Sequence, residues 1–201
     1  MSIYLAFIFR MTFSPDMTII NVPIQSCYLL IDGLSLAVSV MKFNKRKYKS
    51  IRELFVDLIF PVKNMKRLRE VQKRGLLSPA FQERLMLAVT AVDGCRYCSY
   101  FHTKQALKSG IPPPEISLLL SGDIDACPEE EATAVMYAQH WADSNAHPDL
   151  EIVRKLQQTY GAEKAEAIHL MLRMIRIGNL MGNTLDYLLY CISFGKCLKR
   201  V

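Results

Sequence analysis

The chain has 201 residues, 51% of them hydrophobic, which is ample for one domain with its own core plus an extension. Its six cysteines, at 27, 95, 98, 127, 191 and 197, include a single closely spaced pair; this argues against a secreted disulfide framework and for a reducing, cytoplasmic setting. The net charge of +6 is concentrated in residues 42–74, where twelve Lys/Arg face three Asp/Glu, against twelve and fourteen in residues 75–201.

Residues 1–41 are apolar but broken by Pro15, Pro23 and Asp32-Gly33, so no clean membrane span emerges, and no basic region precedes the apolar stretch as a signal peptide requires. Three readings of this extension stand: a stretch ahead of a natural start at Met41, a membrane anchor, or a peripheral arm. The abrupt change to Lys42-Phe43-Asn44-Lys45-Arg46-Lys47 favours the first. In the basic segment 42–74, Ile51, Leu54, Phe55, Leu58 and Ile59 recur at helical spacing, which predicts a helix from Ser50 to about Phe60 stopped by Pro61. A basic helix from Val62 to Arg74, ended by Gly75, follows, with Leu68 and Val71 packed inward and its cations solvated. Contact with an anionic membrane through residues 1–74 is the alternative use of this charge, and no nucleic-acid motif accompanies it.

Ser78-Pro79 is a cap and first-turn pair for a helix running from Pro79 to Val92, with Leu85, Met86, Ala88, Val89 and Val92 as its buried face. Asp93-Gly94 then makes a tight turn into a second helix from Cys95 to Lys108. At about 100° per residue, Cys95, Cys98 and His102 fall within roughly 60° of one another on that helix. In an antiparallel pair pivoting near residue 93, His102 comes level with Glu83. The amides of a first helical turn stabilise a thiolate, taking a Cys-x-x-Cys pKa to roughly 3.5–7.5. An imidazole one turn on can move the proton, and a carboxylate behind it fixes the tautomer.

Gly110 with Pro112-Pro113-Pro114 ends the cysteine helix, and Glu115–Leu120 forms a short helix closed by Gly122. Pro128 with Glu129, Glu130 and Glu131 opens a helix reaching about Asp143. A loop holding His147-Pro148 leads to a helix over 150–160 ended by Gly161, and a long Met-rich helix from Ala162 to about Ile192 closes the domain, leaving 193–201 as a tail. Gly178 and Gly182 permit close approach to this last helix. No strand alternation, phosphate loop or repeat is present in the sequence, so the class is all-α, a helical bundle over 75–192.

The spacing Glu83, eleven residues, Cys95-x-x-Cys98, three residues, His102, followed by Lys104-x-Ala106-Leu107-x-x-Gly110, resembles the alkylhydroperoxidase-D-like members of the carboxymuconolactone decarboxylase family. The likeness extends more loosely over 75–190, through Tyr137-Ala138 and through Asn179 and Asn183. It implies Cys98 as the peroxidatic thiol, Cys95 as the resolving one, and Glu83 with His102 as a proton relay. It further implies a hydroperoxide or disulfide substrate, a dithiol reductant such as a lipoylated or thioredoxin-like protein, and a homo-oligomer. Tyr97 stands where the founding alkylhydroperoxidases carry a second histidine. The lactone-decarboxylating relatives lack the cysteine pair, so decarboxylation is not implied.

No nicotinamide or flavin motif is visible, and no cofactor is expected. Two other readings of the pair are a redox-sensing protein without turnover and a zinc site built from Cys95, Cys98, His102 and Glu83, although structural zinc usually draws on a second Cys/His pair. His140, His147 and His169 have no partner at motif spacing and read as packing or surface residues. Cys27, Cys127, Cys191 and Cys197 read as incidental thiols. Arg173 and Arg176, one turn apart, are expected to meet acids across an interface.

Overall fold

The computed structural model describes residues 43–192, so every expectation for residues 1–41 and for the tail falls outside the described residues. The described residues form seven helices and no strand: α1 (Ile51–Lys63), α2 (Met65–Lys73), α3 (Pro79–Asp93), α4 (Arg96–Lys108), α5 (Pro113–Ser121), α6 (Glu129–Asp143) and α7 (Leu150–Ile192). None of these is long and apolar enough to cross a membrane.

Helix α3 is the centre, packing against α4, α5, α6 and α7. Its sequence explains the position: from Arg84 through Thr90 every side chain is buried, and a helix apolar on nearly all sides must be surrounded. Its start is fixed locally, the Ser78 hydroxyl accepting from the Phe81 N–H at 3.1 Å with Pro79 in the first turn. Its end is fixed by Gly94, left-handed at φ 66°, whose N–H reaches the Thr90 carbonyl at 2.8 Å. Arg84, buried on α3, is held by Glu115 of α5 at 2.5 Å and by Glu131 of α6 at 3.0 Å, tying three helices together.

Two expectations change. Pro61 does not stop α1: it occupies the last turn, where it removes one hydrogen bond yet leaves the next residues able to donate, and the chain turns at Asn64. There the backbone N–H and the side-chain amide of Asn64 both donate to the Phe60 carbonyl. Arg173 and Arg176 do not reach across an interface. They face Asp57 of α1, at 3.4 and 3.8 Å, and so hold α1 to α7 within the chain.

The two helices expected on either side of Gly161 both form and together make up α7, which Gly161 breaks with φ 76° and ψ 162°, a backbone essentially confined to glycine. Beyond that break α7 is buried from Ala165 to Asp186 along the side that meets α3 and α4.

Candidate functional site

The hairpin of α3 and α4 brings the four singled-out residues together in two pairs. Glu83, in the first half of α3, places Oε2 at 2.7 Å from His102 Nδ1, and the imidazole is 4% exposed. The sulfurs of Cys95 and Cys98 lie 3.0 Å apart, both fully buried, and both cysteines are free. Cys95 is not in the first turn of α4 but one position ahead of it, as the N-cap, with φ −80° and ψ 107°. Its sulfur accepts the Cys98 N–H at 3.4 Å, standing where a serine oxygen stands in an ordinary cap.

That placement separates the two thiols electrostatically. Cys95 is held below the usual thiol range, chiefly by its hydrogen bond with Cys98 and then, against the cost of burial, by the Cys98 and Tyr97 amides. Cys98 is pushed far up by the same bond, by burial and by the nearby Asp93 carboxylate. Within the pair Cys95 is therefore the more acidic thiol and Cys98 the less acidic one.

Around the thiols lies a polar layer that the spacing of motifs does not announce. Asp93, 3% exposed, is raised above the usual carboxylate range by burial, against the lowering effects of Asn179 and Arg46. It accepts from Asn179 Nδ2 at 3.1 Å and lies 3.5 Å from the Arg46 guanidinium. Asn183 donates to the backbone carbonyls of both Asp93, at 2.8 Å, and Arg46, at 2.9 Å, which fastens the hairpin turn to α7 and to the segment ahead of α1. Asp186, fully buried, faces Arg96 at 2.7 Å and Lys45 at 3.5 Å. Arg96 in turn donates to the Tyr97 hydroxyl at 2.9 Å. Burial is the first cause that raises the Tyr97 phenol, and it stays protonated and packed against α7. Gly182 lets this happen: a methyl there would sit 2.6 Å from Cys95 Sγ and 3.3 Å from the Tyr97 ring.

The available signal for this layer was the face Asn179, Asn183, Asp186, polar side chains at i, i+4 and i+7 in an otherwise apolar helix. In the sequence Asp93 is a turn residue, Asp186 has no partner at local spacing, and Arg46 lies within the basic run.

The remaining singled-out residues lie elsewhere. The ring of His169 meets the hydroxyl of Tyr137 at 3.1 Å, and burial lowers its pKa. His140 lies 3.4 Å from Asp149, and His147 stays in the loop after α6. Burial and Glu115 push the Cys127 thiol up to about 11, which leaves it protonated. Among the described residues no group of three or more His, Cys, Asp or Glu is placed to hold a metal; the Glu83 carboxylate, offered as a fourth zinc ligand, is engaged with His102.

An all-helical core with a Cys-x-x-Cys at the mouth of a helical hairpin is the fold of alkylhydroperoxidase-D-like proteins. Residues 63–140 match the model of the carboxymuconolactone decarboxylase family, a segment that contains Glu83, Cys95, Cys98 and His102, in agreement with the resemblance read from their spacing. No curated protein and no solved structure matches the chain.

Proposed function

We propose that the chain is a thiol-dependent oxidoreductase that reduces a hydroperoxide or a disulfide, with Cys98 and Cys95 as the reacting sulfurs and Glu83 and His102 as the proton relay. The observation that carries this reading is the part-buried Glu83–His102 contact of 2.7 Å, on the same hairpin as two free sulfurs 3.0 Å apart. A carboxylate so placed fixes the orientation and tautomer of the ring, the arrangement a proton relay needs.

In the proposed reaction Cys98 gives up its proton to His102, whose Nδ1 is held by Glu83, so that exchange falls to Nε2. The Cys98 thiolate attacks the terminal peroxide oxygen and the O–O bond breaks. The departing alkoxide takes the proton from His102, and Cys98 becomes a sulfenic acid. Cys95 then attacks the Cys98 sulfur, and hydroxide leaves as water with the remaining thiol proton, closing the disulfide. A protein dithiol supplies the two electrons and two protons that restore the pair.

A second assignment has its own support. Cys95 accepts the helix-start amide and is the thiol held below the usual range, which suits it to attack first, as the leading cysteine does in thioredoxin-like sites. Single-turnover peroxide consumption with sulfenate trapping decides between them. Cys98→Ser should abolish the reaction with peroxide, and Cys95→Ser should leave a trappable Cys98 sulfenate that no dithiol recycles efficiently. A Cys95→Ser protein without sulfenate, beside a Cys98→Ser protein that forms one, reverses the roles. Wild-type protein that oxidises slowly and shows no dithiol-driven turnover is a redox sensor and not an enzyme.

A further inference from the structure

Helix α1 is packed with its polarity reversed. Its inward side carries Asp57, 8% exposed, which accepts from the Tyr48 hydroxyl at 3.1 Å and pairs with Arg173 and Arg176 of α7. Its outward side carries Ile51, Phe55, Ile59 and Val62, exposed by 74, 59, 45 and 67%. The spacing of four, four and three residues places them on one stripe along the helix. An ordinary surface helix turns such a stripe to the core, so this one is made for an apolar phase outside the protein.

The charge around the stripe decides which. Arg52 and Lys63, eleven residues apart, lie within about 20° of one another along one edge of the stripe. Both are exposed, as are Lys49 just before α1 and Lys66 and Arg69 just after it. Arg67 and Arg74 are neutralised by Glu166 and Glu163, but among the described residues no ion pair engages Arg52, Lys63, Lys66 or Arg69. Two copies joined through this face would bring like charges together, since a two-fold interface sets each patch against itself. An apolar stripe edged by arginine and lysine matches the boundary of an anionic bilayer, where the stripe enters the acyl region and the cations meet headgroup phosphates and carboxylates. We propose that the outer face of α1 docks the protein on an anionic lipid surface.

The full chain should co-sediment with vesicles of phosphatidylcholine and phosphatidylserine, weakly with phosphatidylcholine alone, and less as salt is raised. Replacing Phe55 and Ile59 together by Asp should weaken binding to the mixed vesicles at least about tenfold. Arg52→Glu with Lys63→Glu, which leaves the stripe intact, should do so by about tenfold. Both variants should keep the wild-type circular dichroism, because the altered side chains face outward. Equal binding to both kinds of vesicle, or unchanged binding by both variants, overturns the proposal and moves any membrane contact elsewhere in the chain. Absence of wild-type binding also overturns it, and light scattering that then shows the Phe55/Ile59 variant dissociating an oligomer assigns the face to a second copy.

Discussion

Cys95 is kept below the usual thiol range by a short list of donors, and the largest is its neighbour Cys98. Cys98→Ala removes that donor and should move the onset of thiolate absorbance near 240 nm, a wavelength characteristic of the thiolate, to higher pH than in the wild type. The sign follows from the depressed value: a group whose folded pKa lies below its unfolded one adds stability above the unfolded pKa, and that stability is lost as pH falls through the folded pKa. Urea midpoints should therefore fall on acidification through the lowered thiol range, and by less in Cys98→Ala. Glu83→Gln keeps a hydrogen-bonding partner at His102 but discards the charge that stabilises the imidazolium. It should slow peroxide reaction by about tenfold to a hundredfold without abolishing it, as read in stopped-flow single turnovers. Glu83 and His102 were legible from sequence because a hairpin pivot makes their level predictable. Asp186 was not, since ninety positions separate it from Arg96 and no local pattern records such a pairing.

Elements with locally encoded ends were readable in advance: Ser78-Pro79 and Asp93-Gly94 bound α3 through bonds made within four residues, so composition and structure coincide there. Pro61 misled because the cost of a proline depends on how much helix follows it, and only Val62 and Lys63 do. Gly161 is the opposite case, an interruption that the backbone demands. With φ 76° and ψ 162°, a side chain is strained there even though a methyl would meet no atom within 4 Å. Gly161→Ala should cost about 1–3 kcal/mol in chemical denaturation, with no loss of thiol reactivity. Gly182→Ala should behave the other way round. Its backbone is helical and gains from alanine, but the methyl displaces the Cys95 sulfur, so peroxide-driven disulfide formation should slow while stability changes little.

At the scale of the molecule, the segment ahead of α3 belongs to the site as well as to the surface. Arg46 reaches Asp93, Lys45 reaches Asp186, and Asp57 is clasped by Tyr48, Arg173 and Arg176. Asp57→Ala leaves the Tyr48 hydroxyl and two guanidinium groups without their shared acceptor, and should cost about 1–3 kcal/mol, read as a lower denaturant midpoint. The basic run gave no hint of this because charge density describes a field and not the carboxylates that a folded chain brings to it. The homo-oligomer implied by the family is a proposal that light scattering tests at micromolar concentration; the like charges along α1 predict that substitutions at Phe55 and Ile59 leave its stoichiometry unchanged.

The sulfur that caps α4 is also the sulfur that joins the proposed disulfide, and these two roles compete. Reduced Cys95, its pKa lowered, offers the Cys98 N–H a better acceptor than a sulfur bonded to its neighbour does. A helix cap contributes about 1 kcal/mol, and for a two-electron couple this corresponds to about 20 mV. The cap favours the dithiol by that amount and so raises the reduction potential of the pair above that of the same two cysteines in a helix capped by another residue. In the proposed reaction that bias would favour handing the oxidising equivalents on to a dithiol over storing them.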